Sequence, residues 1–167
     1  MTTAVERWYA VQQFVFLEAK RLDERDWDKW LAMFLPTAKY WVPYEWGQEK
    51  ATDHVSLFYE DLTMLRMRID RLKNGLSPLE WPPSRTNHHL SNVGIENVSG
   101  NQFTVTAYMI FAEYRREEQR LFSCRVTWDL QASNSKSDAD IFKIAAKRVD
   151  LLNCDQESGH LRIAVPL

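Results

Sequence analysis

The sequence predicts an α+β domain in which N-terminal helices cover the concave face of a curved antiparallel sheet. Two observations indicate this class. Apolar residues recur every three or four positions in the first part of the chain and at every second position in the later part. Between the two parts stand Pro82 and Pro83, each of which lacks a backbone donor and disfavours a helix. We therefore expect helices within residues 4–72, a sheet mainly within residues 85–152 and a tail over residues 153–167.

The composition limits the partners that the chain can have. Its 167 residues fit a single domain, residues 1–167, and its net charge of −2 offers no basic field for nucleic acid. The N-terminus lacks the features of a signal peptide and no apolar run reaches spanning length, so we expect a cytoplasmic protein without membrane contact. Aromatic residues make up 13% of the chain and include seven tryptophans, which favours a protein interface in addition to a core.

Two helices are expected at the start of the chain. Residues 5–22 have apolar side chains at helical spacing, with charged residues on the remaining face. Residues 23–26 supply capping side chains for a second, short helix, which carries an apolar stripe from Trp27 to Phe34 and ends at Pro36.

The segment before the two prolines is expected to contain two short strands and a third helix. In order, the composition predicts a strand over residues 39–43, an exposed loop over residues 45–53 and a strand over residues 54–59. Glu60 and Asp61 then open the third helix, which an Asn74-Gly75 pair closes.

Alternation of apolar and polar residues predicts a meander in the later part. The expected elements are a turn at residues 99–101, a strand over residues 103–111, a turn at residues 115–118, a strand over residues 122–130, a linker over residues 132–140 and a last strand over residues 141–152. The two middle strands form an antiparallel hairpin with one apolar face.

The potential metal ligands and nucleophiles are few. His88 and His89 are adjacent, so on a strand they point to opposite faces, and we expect one to be packed and hydrogen-bonded and the other exposed. Cys124 and Cys154 are expected to be packing residues, and Cys124 lies on an apolar strand face that favours a neutral thiol. The five glycines form no nucleotide-binding motif. The sequence therefore predicts no catalytic, cofactor-binding or metal-binding residue.

An enzymatic alternative comes from the cone shape, because a curved sheet closed by helices can hold a small apolar ligand. Tyr40, Tyr44, His88 and Asp129 could then act as acid and base. Their spacing does not favour catalysis, so we prefer the interpretation that they fill the interior and satisfy backbone groups.

The central part of the chain carries a recognisable pattern. It comprises Glu60-Asp61-Leu62, Arg66 to Leu72, Trp81, Pro83-Ser84-Arg85-Thr86, His88 and Ser91-Asn92-Val93, preceded by residues 18–25 and Trp27-Asp28 with Trp30-Leu31. This pattern resembles the small (β) subunit of aromatic-ring-hydroxylating dioxygenases. The resemblance spans nearly the whole chain.

The resemblance implies a curved, mixed sheet of the nuclear-transport-factor-2-like (NTF2-like) or cystatin-like cone type. It also implies an α3β3 hexamer in which the large α subunit carries the Rieske [2Fe–2S] cluster and the mononuclear non-haem iron, and this chain carries no cofactor. Electrons would come from a reductase, sometimes through a ferredoxin. The reaction would insert both oxygen atoms into an aromatic ring.

The sequence as a whole therefore predicts a non-catalytic small subunit that assembles and stabilises an oxygenase. The alternatives are a stand-alone NTF2-like dehydratase or isomerase and a homodimeric module that binds small ligands. The residues expected to have a structural role are Arg85, Thr86, His88, Ser91 and Asn92. Replacing Arg85 by Ala is expected to impair folding or assembly.

Overall fold

The computed structural model describes residues 3–75, 81–133, 141–156, 163 and 165–167. Its elements are α1 (Ala4–Asp23), α2 (Trp27–Leu31), β1 (Phe34–Pro43), β2 (Ser56–Asp61), α3 (Leu62–Asn74), β3 (Arg85–Ser99), β4 (Gln102–Arg115), β5 (Glu118–Ala132) and β6 (Phe142–Leu151). The predicted α+β class is confirmed. Most of the predicted linker and part of the predicted tail lie outside the described residues.

The six described strands form one mixed sheet in the order β2-β1-β6-β5-β4-β3. Neighbouring strands pair antiparallel, except β1 and β6, which are parallel. Helix α1 contacts β3, and α3 contacts β1 and β2. The buried side chains of the helices and alternate residues of the strands meet in one apolar core.

Helix α1 begins with a capping box and agrees with the predicted first helix. The Thr3 hydroxyl accepts the Glu6 backbone N–H at 3.1 Å, and the Glu6 carboxylate accepts the Thr3 N–H at 2.6 Å. Lys20 and Arg21 stand in the last turn, where positive charge complements the helix dipole. The helix is tied to β3 by the Trp8 indole, which donates to the Val93 carbonyl at 3.2 Å.

The start of β1 differs from the prediction. Helix α2 ends at Leu31 instead of extending to Pro36, and β1 begins at Phe34, which pairs with Ile144 of β6. The register between the two strands shifts between Phe34 and Lys39, and Pro36 lies within this irregular segment. A proline cannot donate to a regular strand ladder, but it is tolerated at such an irregularity. Pro36 therefore marks an irregular strand and not a helix end.

The boundary between β2 and α3 corrects a second prediction. Asp61 caps α3 by accepting the Met64 N–H at 2.9 Å, as an opening residue should. Glu60, in contrast, belongs to β2, which extends beyond the predicted end at residue 59. Its buried carboxylate accepts hydrogen bonds from the Arg68 guanidinium, so it connects the strand to α3 instead of opening the helix.

The later strands confirm the predicted hairpin. The inward side chains of β4 and β5 are all buried, namely Phe103, Val105, Ala107, Met109, Phe111, Phe122, Cys124, Val126, Trp128 and Leu130. Two-residue turns join β3 to β4 and β4 to β5, close to the predicted positions. The first turn contains Gly100 at φ 62°, whereas the second places Arg116 and Glu117 at φ 53° and 65°. Two non-glycine residues therefore occupy a turn geometry that favours Asn-Gly.

Replacing Arg116 by Asn and Glu117 by Gly should stabilise the chain by about 1–2 kcal/mol, because Asn and Gly adopt the left-handed region at lower cost. Urea unfolding of the double variant would measure the change. A matched control exchanges Gly100 for Ala, which should destabilise the other turn. Unchanged or lower stability of the double variant would show that the relief of strain does not exceed the loss of the Arg116 hydrogen bond to the Trp81 carbonyl.

Candidate functional site

The interior of the fold holds a polar cluster that the sequence analysis did not identify. The carboxylate of Glu18 accepts hydrogen bonds from the Trp30 indole at 3.1 Å and the Trp128 indole at 2.8 Å. The Lys147 ammonium donates to the same carboxylate at 2.6 Å. The ammonium also lies 5.6 Å from the centroid of the Trp128 ring. We call Glu18, Trp30, Trp128 and Lys147 the Glu18 cluster.

Burial determines what the Glu18 cluster can do. Glu18, Trp128 and Lys147 are each 1% exposed and Trp30 is fully buried. A charge in such surroundings is tolerated only when it is paired and hydrogen-bonded, and here the carboxylate meets one ammonium and two indole donors. The four side chains satisfy one another and fill the space between α1 and the sheet. They are not positioned to meet a substrate from solution.

A signal for this cluster was present in the sequence. Glu18 lies three residues after Val15 and four before Leu22, on the apolar stripe of α1. Lys147 alternates with Val149 and Leu151 on the buried face of β6. A charged residue at a position that periodicity assigns to the core predicts a buried partner. Which partner it meets depends on long-range packing, because the two residues are 129 positions apart.

The residues of the enzymatic alternative do not converge. Tyr40 is buried, and its hydroxyl accepts the Leu167 backbone N–H at 2.9 Å. Burial raises its pKa above the ordinary value for tyrosine. Tyr44 is exposed in the loop after β1, and Asp129 is exposed on the outer face of β5, where it accepts the Thr104 hydroxyl at 3.0 Å. His88 contacts Asp23. These four residues therefore do not lie together in one site where they could act as acid and base.

His88 belongs to a link between α1 and β3. Its Nδ1 lies 2.6 Å from the Asp23 carboxylate, which also accepts the His88 backbone N–H and the Thr86 hydroxyl, each at 3.0 Å. The imidazole ring packs 4.8 Å from the Phe111 ring. We call Asp23, Thr86 and His88 the Asp23 clasp. His89 is exposed, so the prediction of one packed and one exposed histidine is confirmed.

The charge of Asp23 is stabilised by this environment. Partial burial alone would raise its pKa, but the hydrogen bonds from the His88 side chain and backbone, the His88 charge and the Thr86 hydroxyl outweigh that effect. The pKa of Asp23 therefore lies below the usual 3.8. A carboxylate with a depressed pKa in the folded state contributes stability at neutral pH that is lost in acid.

The other motif residues shape β3. The register between β3 and β4 shifts between Ser91 and Gly94, which indicates a bulge. Asn92 lies in this bulge at φ 53°, a left-handed conformation that Asn tolerates well. Arg85 is exposed, and its guanidinium lies 4.5 Å from the centroid of the Tyr114 ring. Arg85 thus packs on an aromatic face of the neighbouring strand β4.

Both cysteines are unpaired, buried thiols. Burial raises the pKa of Cys124 to about 12, and its Sγ donates to the Met109 carbonyl at 3.6 Å. Burial also raises the pKa of Cys154. The thiolate form that a nucleophile requires is therefore disfavoured at both positions, and their prediction as packing residues is confirmed.

Two further properties concern only the described residues. No group of three or more His, Cys, Asp or Glu side chains within them is arranged to hold a metal ion. The described residues therefore do not form the four-ligand set of an iron–sulfur cluster or a facial triad for iron. No helix in the same part of the chain is both long enough and apolar enough to cross a membrane.

Large apolar side chains are exposed on the outer face of the β4–β5 hairpin and on α1. On the hairpin they are Tyr108, Ile110, Tyr114 and Leu121, and on α1 they are Val5, Trp8, Tyr9 and Phe16. Tyr108 and Ile110 lie on the same face of β4, and Leu121 of β5 pairs with Ala112 nearby. Clustered apolar side chains of this kind are typical of surfaces that bind another protein.

Comparisons with known proteins agree on one family. The family described as "Ring hydroxylating beta subunit" matches residues 17–157. The chain is 35% identical to the benzoate 1,2-dioxygenase subunit beta of Acinetobacter baylyi over 100 residues, 57% of this chain and 59% of that protein. It is 37% identical to the 2-halobenzoate 1,2-dioxygenase small subunit of Burkholderia cepacia over 57% of this chain and 61% of that protein. The aligned regions thus span about three fifths of these relatives.

A solved structure extends the similarity to the whole chain. The crystal structure of the beta subunit of benzoate 1,2-dioxygenase from Burkholderia mallei superposes with a TM-score of 0.75 at 27% identity. The superposition covers 99% of this chain and 100% of that one. The expected NTF2-like cone fold is confirmed by this similarity.

Exchanging Glu18 for Gln should destabilise the chain by about 3 kcal/mol or more, because the buried Lys147 ammonium would lose its only charged partner in the Glu18 cluster. The free energy of unfolding in urea would measure this. The matched control combines Glu18→Gln with Lys147→Met, which should recover part of the loss, since an apolar residue replaces the unpaired charge. A change of less than about 1 kcal/mol in the single variant would show that the Glu18–Lys147 ion pair contributes little to the stability of the core.

The Asp23 clasp predicts a pH dependence of stability. Because the pKa of Asp23 is lowered in the folded state, its contribution should be fully present above about pH 4 and should disappear as the pH falls through the folded value. We expect the free energy of unfolding, measured between about pH 2 and pH 7, to fall less in acid for Asp23→Asn than for the unmodified chain. Parallel curves for both proteins would contradict the assignment.

Proposed function

The chain belongs to the ring-hydroxylating β-subunit family, and we propose that it is the non-catalytic small subunit of a multicomponent aromatic-ring-hydroxylating dioxygenase. In this role it would assemble and stabilise the oxygenase component. The relatives named for benzoate and 2-halobenzoate support an aromatic acid as the substrate of the whole enzyme.

The observation that carries this proposal is the filled interior. In a cone fold the concave space is where a ligand would lie. Here the Glu18 cluster occupies it, and Tyr40 is fully buried beside Trp30, with ring centroids 6.5 Å apart. A stand-alone dehydratase or isomerase would need acid and base groups that a substrate can reach. The filled interior and the comparisons both weigh against that alternative, and against a homodimer that binds its ligand inside the cone.

We propose that the partner is the large subunit and that the complex has α3β3 stoichiometry. The exposed apolar face of the β4–β5 hairpin and the exposed stripe of α1 support at least two contact surfaces, which a chain in such an assembly needs. The Rieske cluster and the mononuclear iron would lie in the large subunit, and a reductase, with or without a ferredoxin, would supply electrons. Aromatic-ring dihydroxylation would take place there as well.

The family motif has a structural role in this proposal. Thr86 and His88 connect β3 to α1 through Asp23, and Asn92 lies in the bulge that follows the paired Ser91. Arg85 supports the surface through the ring of Tyr114. We further propose that residues 1–167 form one domain, which the continuous apolar core supports, and that the protein is cytoplasmic, which its unpaired thiols support.

Activity should depend on this chain although the chain itself should show none. We expect the large subunit with its reductase to oxidise benzoate when the chain is present and to lose most of that activity when it is omitted, because an incomplete complex leaves the competent form poorly populated. The isolated chain should be inactive and should contain no stoichiometric iron. Full activity without the chain, or iron-dependent turnover by the chain alone, would contradict the proposal.

Purification with the large subunit can also show whether Arg85 of the family motif serves assembly or folding. Arg85→Ala should fold with nearly unchanged stability, since an exposed cation–π contact contributes only about 0.5–1 kcal/mol, but it should co-purify less well with the large subunit. Arg66→Ala, on the exposed side of α3, is the matched control and should co-purify normally. Equal recovery of both variants would remove Arg85 from the contact surface.

A further inference from the structure

A pocket lies on the outer face of the sheet, away from the Glu18 cluster. Its floor consists of outward side chains of β5 and β6, and its wall is the loop between β1 and β2. The lining residues are Trp46, Gly47, Arg125, Thr127, Arg148 and Asp150, and they enclose about 430 Å³. This volume is within the range of pockets that hold small ligands. We call it the outer pocket.

The floor of the outer pocket is held in place by Arg148. Its guanidinium binds both oxygens of Asp150, with N–O distances of 2.6–2.9 Å, and donates to the Gln48 carbonyl at 2.8 Å. It also lies 4.3 Å from the centroid of the Trp41 ring. With these contacts in place, Arg148 and Asp150 largely neutralise each other.

The wall is ordered by a buried side chain. Gln48 is 4% exposed, and its amide donates to the carbonyls of Lys50 and His54, each at 3.1 Å. These bonds close the loop on itself, while the Arg148 contact attaches it to the sheet. The neighbouring Trp46 nevertheless stays 56% exposed, so its indole offers a free aromatic surface at the pocket.

The second arginine gives the pocket its charge. Arg125 is exposed and pairs across the strands with Asp150, whose carboxylate is already bound by Arg148. Within the described part of the chain, the Arg125 guanidinium has no carboxylate at ion-pair distance. Two arginines and one aspartate leave the lining with an excess positive charge, and an unpaired guanidinium is suited to bidentate binding of a carboxylate.

We propose that the outer pocket binds a small aromatic carboxylate, with the carboxylate on Arg125 and the ring against Trp46. The choice of aromatic acids rests on the proposed function, because the relatives are named for enzymes of such acids. The site lets the small subunit bind an aromatic acid on the outer face of its sheet. The guanidinium supplies charge recognition and the indole supplies stacking, so both parts of the ligand contribute to affinity.

Calorimetric titration of the full chain with sodium benzoate tests this site. We expect one binding site, weakened at least about tenfold in Arg125→Ala and in Trp46→Ala, because each exchange removes one of the two recognition elements. Arg66→Ala is the matched control for lost charge and should bind normally. No binding of benzoate by the unmodified chain, or equal binding by Arg125→Ala, would overturn the proposal.

Ligand variation on the unmodified chain gives a test that does not depend on the folding of a variant. Benzamide, which keeps the ring without the charge, and cyclohexanecarboxylate, which keeps the charge without the aromatic face, should both bind more weakly than benzoate. Equal affinity for benzamide would overturn the carboxylate assignment. Because these titrations use the chain alone, they fail or succeed independently of the reconstitution.

Discussion

Glu18 brings a carboxylate into the core, and donors from three other elements meet it there. Trp30 comes from α2, Trp128 from β5 and Lys147 from β6. All three elements must therefore be in place before the Glu18 carboxylate of α1 has its hydrogen-bond donors. Apolar contacts alone would tolerate shifts of a helix over the sheet, whereas a buried ion pair is strongly unfavourable when its partners separate. The position of α1 on the sheet therefore depends on the Glu18 cluster.

This constraint has a consequence for function. The concave space that a cone-shaped fold could offer to a ligand is occupied by the chain's own side chains, and no part of the cluster is more than 1% exposed. The Glu18 cluster itself therefore offers no surface to a binding partner. The outer surface of the described residues includes the exposed faces of the β4–β5 hairpin and α1, the stacked Arg85 and Tyr114, and the outer pocket. A role in assembly, supported by the family, agrees with this distribution.

The sequence predicted the features that depend on local periodicity. Alternation along β4 and β5 identified their buried faces, and the adjacency of His88 and His89 correctly predicted that only one would be buried. The prediction at Pro36 was wrong because a proline in the sequence is compatible both with the end of a helix and with an irregular strand. The Asp23 clasp and the Glu18 cluster join residues that are 65 and up to 129 positions apart. Periodicity can place such residues on a buried face, but only packing determines which of them meet.

Native mass spectrometry of the complex, combined with iron analysis of its separated subunits, would test whether this chain is an assembly subunit. We expect three copies of this chain with three copies of a larger subunit, and iron that remains entirely with the larger subunit. A homodimer of this chain without a larger partner, or iron bound to this chain after separation, would contradict the assignment as a non-catalytic assembly subunit.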